Sequence, residues 1–283
     1  MKFTDRIASS LSSLGSTFKS LTKIAVESHR CTISSCERRQ PLVILGNGPS
    51  LAETITTSSS LLQKLPLMAV NFAGNTPEFL SLKPQYYALA DPHFFSGTVD
   101  TNVVKLIDTL SHKVDWPMTL FIPAEYAQFN LDNPNITVEK FNPVAVEGAE
   151  WLKTWAFGTG RGMPRPRNIM IVAIMCAIKA GFKEIYLTGA DHSWLKTLDV
   201  SEQNEVISIQ PHFYKESESE KKRVSSVYKN VRLHEILLSF HIAFRSYHEI
   251  KEYADKHGIK IYNSTPGSFI DAFPRRPLPH INP

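Results

Sequence analysis

The stretch "ILGNGPSL" (44–51) places two glycines and a serine directly after an apolar run, a spacing that suits phosphate binding. Gly46 and Gly48 allow backbone angles closed to other residues and let a ligand approach the main chain. Ser50 and Glu53 form an S-x-x-E capping box, which predicts a helix starting at Ser50. The free amides and partial positive charge of a helix N-terminus attract an anion. A tight strand-to-helix turn with no ligand is the other reading. Asn47, Asn71, Asp91 and Asp191 each close a short apolar run. Ligands of open parallel sheets sit beyond the carboxyl ends of the strands, so four such side chains together describe a nucleotide pocket. Each one singly is also an ordinary turn residue.

Several common nucleotide sites are excluded by what stands at the expected positions. Pro49 interrupts a dinucleotide fingerprint where the chain would run toward a third glycine. About twenty residues on, where an acid would hold the ribose, the second apolar run ends in Asn71. There is no Walker A sequence and no Asp-x-Asp, the metal clamp of many nucleotide-diphosphate-sugar transferases. A donor held without metal or cofactor follows as the expectation.

The elements that must position these residues are legible as apolar runs between turn signals. "PLVIL" (41–45), "PLMAVNF" (66–72) and "PQYYALADP" (84–92) read as strands, with helical spacing over 50–65. "PMTLFIP" (117–123) and "NITVEKF" (135–141) continue the sheet after a helix over 101–112. "NIMIVAIMCAIKAGF" (168–182) reads as a helix buried on most sides, followed by the strand "KEIYLTGAD" (183–191). From about 195 to 230 the chain is polar and charged, which predicts a lid. Helical spacing resumes over 231–257, before a final strand in "IKIYNSTPGSF" (259–269). This β-α-β order predicts an α/β fold: a single Rossmann-like domain over 41–283, with a mainly parallel sheet and a lid insertion.

Residues 1–40 stand apart as an amphipathic helix and a serine-rich linker (28–40). Phe3, Ile7, Leu11, Leu14, Phe18, Leu21 and Ile24 recur every three or four positions beside Lys2, Arg6, Lys19 and Lys23. Two readings stay open: a peripheral membrane anchor over 1–27, or a helix packed on the domain or at a subunit contact. No apolar run is long enough for a transmembrane helix. A formal charge of +4, with no basic stripe interleaved with aromatics, suits an anionic ligand or membrane surface and argues against nucleic acid. Cys31, Cys36 and Cys176 have neither disulfide-framework nor zinc-site spacing, which fits a reducing cytosol.

"GNGPSL", the strand-end Asn71, "ADPHFF" (90–95), "AIKAGFKEIYLTGAD" (177–191) and "HGIKIYNSTPGSF" (257–269) resemble, in order, the bacterial sialyltransferases of glycosyltransferase family 42. They also resemble the wider group containing flagellin-modifying nonulosonate transferases and an archaeal pterin pyrophosphokinase. The similarity runs over about 41–270. It implies metal-free transfer of sialic acid or a related sugar from a cytidine-monophosphate-activated donor, with Asn47, Asn71 and Asp91 at the positions that contact the donor. Asp91 stands where the sialyltransferases carry asparagine. The family's base aligns with His241, and a neutral imidazole there accepts the proton of the attacking hydroxyl near pH 7, with inversion at the anomeric carbon. His212, His234 and His248 are neighbouring alternatives, and a structural histidine is the plain reading.

Ser193 takes the place of a tyrosine that holds the leaving phosphate in the family, and Tyr214 or Tyr228 in the lid is the candidate for a second. His192, Trp194 and Arg167 are further pocket candidates, Arg167 because a guanidinium binds phosphate or carboxylate bidentately. The expected donor-binding set is completed by Gly46, Gly48, Pro49, Ser50, Gly189 and Asp191. The resulting expectation is a transferase of an acidic sugar from a nucleotide-sugar donor to a glycan or lipid-linked acceptor in surface polysaccharide or lipooligosaccharide synthesis. It would be cytoplasmic, held peripherally at the inner face of the membrane, and plausible as a homo-oligomer. The alternatives are a magnesium-dependent pyrophosphokinase-like enzyme using Asp91 and Asp191, and a nucleotide-binding homologue without catalysis.

Overall fold

The computed structural model of the 283-residue chain describes residues 3–35, 40–97, 100–207, 213 and 231–279, with side chains of the first helix from residue 13 onward. Seven strands form one parallel sheet: β1 (Leu42–Leu45), β2 (Leu67–Val70), β3 (Tyr86–Ala88), β4 (Met118–Pro123), β5 (Ile136–Phe141), β6 (Glu184–Thr188) and β9 (Lys260–Asn263). Their order is β5-β4-β3-β2-β1-β6-β9. The helices are α1 (Phe3–Glu27), α2 (Ser50–Leu62), α3 (Pro77–Leu82), α4 (Thr101–Asp108), α5 (Glu150–Thr159), α6 (Ile169–Lys179) and α7 (Leu233–Lys256). The fold is α/β and Rossmann-like, as the alternation of runs predicts.

The central strands are apolar at every position because both faces of the sheet are covered. Leu42 and Ile44 turn toward a core shared with α6 and α7, while Val43 and Leu45 pack on the opposite face with Leu51 and Leu62 of α2. Nine consecutive residues of α6, Met170–Ile178, are buried, which accounts for its lack of a polar face. The chain builds outward from β1 through β2 to β5, then returns to the other side of β1 with β6 and β9. β1 and β6 are therefore the strands at which the order reverses. Leu45 pairs with Thr188, so the loops that follow these two strands leave the sheet side by side.

Two segments carry detail that the sequence left open. The start of the expected lid is structured: Ser193–Thr197 forms a 3-10 turn, and β7 (Asp199–Val200) pairs antiparallel with β8 (Val206–Ile207). In α1, Ile24 is buried, but Leu14, Phe18 and Leu21 face outward while Thr17 and Ser20 are buried against the domain. Thr17 Oγ1 accepts from Ala149 N at 2.8 Å, and Ser20 Oγ both donates to Glu147 O and accepts from Glu147 N at 2.9 Å. The described part of the helix docks through hydrogen bonds to one loop and through Ile24, which enters the core. Its linker follows β5: Asn142 exchanges hydrogen bonds with the backbone of His29, and Ile33 enters the core.

Candidate active site

The loops after β1 and β6 interlock at the switch point. Gly46 N donates to Thr188 O and Gly48 N to Gly189 O, each at 2.8 Å. A Cβ at position 46 would lie 2.4 Å from Gly189 O, and one at position 48 would lie 2.0 Å from Asp191 Oδ2. Gly189 has φ +64°, and a Cβ there would lie 2.3 Å from Gly46 O. These glycines are demanded by the mutual approach of two loops. The expected free amides are consumed in that approach: those of Gly46, Gly48 and Leu51 bond to backbone carbonyls, and that of Ser50 to Asp191.

The capping expectation for Ser50 is corrected by the same contact. Pro49 is the N-cap of α2 and makes no side-chain cap bond, while Ser50 is the first helical residue. Ser50 Oγ donates to Asp191 Oδ2 at 2.7 Å and Ser50 N to Oδ1 at 3.3 Å. The partial positive charge at this helix end is thus met by a carboxylate of the protein itself. An added anion at this helix end would face the Asp191 carboxylate.

Beside this closed corner the rim is made of amides. Asn47 Nδ2 donates to Val70 O at 3.2 Å, tying the first loop to the end of β2. Asn71 adopts a left-handed conformation (φ 48°), and its backbone carbonyl accepts the Tyr87 hydroxyl. Its side-chain Oδ1 is buried and has no hydrogen-bond donor among the described residues. Such a carbonyl is costly to leave unmade, and it is the feature of the rim that asks for a ligand N–H or O–H. Asp91 Oδ1 accepts from His93 N at 2.9 Å, and His93 Nε2 contacts Asp100 Oδ2 at 3.0 Å.

The β6 side of the rim is organised by a buried chain of three groups. His192, in the left-handed region at φ 50°, contacts the Tyr247 hydroxyl through Nε2 at 2.6 Å. That hydroxyl donates to Asn168 Oδ1 at 2.8 Å. Because the phenol's one proton goes to Asn168, His192 Nε2 must carry the proton in this contact, which assigns the Nε2–H tautomer from the network. Burial lowers the His192 pKa to about 3, so the ring is neutral at ordinary pH. Asn168 Oδ1 also accepts from Met170 N and Ile171 N, capping α6. Sequence reading found His192 but missed Asn168 and Tyr247 as its supports; an Asn directly before an apolar helical run was the available signal.

The remaining described candidates lie along the same elements. Ser193 opens the 3-10 turn directly after His192. Trp194, next along, lies 4.3 Å from the His192 ring and 5.4 Å from that of Phe240 on α7. His241 is exposed on α7, adjacent to Phe240. Arg167 is exposed, one residue before the cap of α6, and no ion pair engages its guanidinium among the described residues. Tyr214, Tyr228 and His212 lie outside the described residues. Phe213, which sequence reading did not single out, donates its N–H to Asn47 O at 3.0 Å and packs its ring beside α2. Among the described residues, no group of three His, Cys, Asp or Glu is placed to hold a metal ion.

No family model and no curated protein sequence matches the chain. Its fold is similar to that of a glycosyltransferase. The solved structure is the MAf glycosyltransferase from Magnetospirillum magneticum AMB-1, with a TM-score of 0.50 and 11% identity. The match covers 93% of this chain and 38% of that one, so the chain spans little more than a third of the other's length. The likeness is one of fold, and it agrees with the glycosyltransferase-like architecture expected from the sequence.

Chemically, the rim divides into two parts. Around Asp191 and Asp91 it is acidic and already bonded internally. On the β6 side it offers the neutral buried imidazole of His192 with Ser193 directly after it, while Arg167 stands exposed before the α6 cap and His241 exposed on α7.

Proposed function

We propose that the chain is an inverting glycosyltransferase that moves an acidic sugar from a cytidine-monophosphate-activated donor to a glycan or lipid-linked acceptor without a metal ion. The observation that carries this reading is the amide rim at the β1/β6 switch point of a glycosyltransferase-like fold, with the Asn71 Oδ1 acceptor buried and unmet. Asn71 accepts from an N–H or O–H of the donor nucleotide. Asp191 keeps the phosphate off the start of α2, so the phosphate and the sugar carboxylate lie toward Ser193 and Arg167. Ser193 donates to a phosphate oxygen as charge develops on it, and Arg167 pairs with phosphate or carboxylate.

In the transfer step an acceptor hydroxyl oxygen bonds to the anomeric carbon as the bond from that carbon to the phosphate oxygen breaks. Cytidine monophosphate leaves with the electron pair. The hydroxyl proton passes to the His241 imidazole, and attack opposite the leaving group inverts the anomeric centre. The absence of Asp-x-Asp in the sequence supports the metal-free form.

The test is hydrolysis and transfer of such a donor with and without chelator. Activity that survives chelation and collapses in His241→Ala supports the reading. Full activity in that variant removes His241 as base. Activity abolished by chelator, together with adenosine triphosphate binding seen calorimetrically, selects magnesium-dependent pyrophosphoryl transfer instead. Tight binding of cytidine nucleotides without turnover selects the non-catalytic form. A thermal-shift screen of cytidine against adenosine and uridine nucleotides fixes the nucleotide class first.

A further inference from the structure

The outward face of α1 carries an exposed apolar row. Leu14, Phe18 and Leu21 are 66%, 74% and 40% exposed, at spacings of four and three that put them on one stripe. Gly15, within this stretch, has nothing within 4 Å of where a Cβ would stand. The neighbouring face is committed to the domain through Thr17, Ser20 and Ile24, so the helix cannot roll Leu14, Phe18 and Leu21 inward without breaking the bonds to Glu147 and Ala149. Two residues past Ala149, α5 presents Trp151 and Trp155, 62% and 45% exposed at a spacing of four. Exposed apolar residues scattered singly need no explanation, but an aligned row beside a tryptophan pair does.

We infer that α1 and the start of α5 form one docking surface for an anionic lipid bilayer, with α1 lying in the plane of the interface as a preformed part of the folded protein. Charge selects this occupant. Residues 1–27 carry Lys2, Arg6, Lys19 and Lys23 against Asp5 and Glu27. Glu150, beside the tryptophans, is neutralised by Lys153 at 2.8 Å and Lys256 at 2.6 Å. Lys19 is exposed on the polar side of the helix and Lys23 is half-buried there; the segment's excess of basic residues gains from anionic headgroups, whereas a second copy packed on the same face about a two-fold axis opposes like charges. Tryptophan belongs at the headgroup level, where its ring is half apolar and half hydrogen-bonding.

The docking also orients the site. Glu147, held by Ser20 of α1, pairs with Arg165 at 2.5 Å and with Arg245 of α7, and Ser246 Oγ donates to Arg165 O at 3.0 Å. The elements that carry the rim are thereby fixed relative to the bilayer. This inference deepens the proposed reading by naming the surface from which a lipid-linked acceptor is met.

The experiment is co-sedimentation of the full chain with vesicles of phosphatidylcholine alone or mixed with phosphatidylglycerol, with tryptophan emission recorded in parallel. Binding to the anionic vesicles is expected, weaker on the neutral ones, with a blue shift that shrinks in Trp151→Phe/Trp155→Phe. Phe18→Glu is expected to lower binding at least about tenfold with an unchanged melting temperature, since the side chain is exposed. No binding to anionic vesicles, or binding indifferent to Phe18→Glu, overturns the inference. A dimer in sedimentation that dissolves in Phe18→Glu, without vesicle binding, also overturns it and assigns the face to a second copy. No sugar donor is present in this assay, so its failure and a failure of the transfer reading are separately visible.

Discussion

Two helices begin at the same rim and are closed in opposite ways. The N-terminus of α2 is met by a charge from across the switch point, the Asp191 carboxylate. That of α6 is met by its own neutral Asn168, whose Oδ1 also accepts the Tyr247 hydroxyl and so supports His192. The first arrangement locks two loops together and repels an incoming anion. The second satisfies the helix without placing an anionic side chain there. A glycine-rich turn before a helix is therefore not sufficient for an anion site, because the protein can supply the anion itself.

This contrast can be broken at several points. Gly48→Ala has the largest expected effect: the added methyl meets both Asp191 and Gly189 backbone, and a loss of about 3 kcal/mol is expected for such overpacking, read by denaturant unfolding. Asn168→Ala removes the α6 cap and leaves the buried Tyr247 hydroxyl without its acceptor, an expected loss of about 2 kcal/mol. Asp191→Asn weakens the α2 closure by about 1 kcal/mol. It is also expected to enlarge the rise in melting temperature that inorganic phosphate produces, relative to the wild type.

The pH dependence sharpens the same comparison. His192 is held near pKa 3 in the folded state against 6.5 ordinarily, so between those values the unfolded chain binds a proton that the folded chain does not. Its contribution is complete above pH 6.5 and falls as acid is added, by at most about 1.4 kcal/mol per pH unit; His192→Gln is expected to flatten that slope. Glu147 gives the smallest effect. Burial pushes its carboxyl up, but Arg165 and Arg245 outweigh this and hold it below the usual 4.5. Its stabilisation is present above pH 4.5 and lost as pH falls through the lower folded value, a limb that Glu147→Gln should remove from acid unfolding curves.

Strand ends were legible in the sequence because burial on both faces writes parallel strands as bounded apolar runs. Asn47, Asn71, Asp91 and Asp191 could thus be placed on one edge before any coordinates. The roles of Ser50 and Gly48 were not legible: S-x-x-E and G-x-G describe local geometry, whereas their partner Asp191 is more than a hundred residues away in the chain. Tyr247 and Phe213 were overlooked for the same reason, being ordinary aromatics until the fold brings them to His192 and Asn47. In α1 the period of the apolar residues was readable, but not which face would meet the domain.

By itself, the sequence determined the order of strands and helices, the burial of α6 and the collection of polar side chains at the strand ends, because periodicity and turn chemistry are local properties. The tertiary structure alone decided that Asp191 closes α2, that His192 is neutral with a defined tautomer, and that α1 turns Leu14, Phe18 and Leu21 outward. Each of those depends on groups distant in the chain meeting within hydrogen-bond reach, which no local pattern encodes.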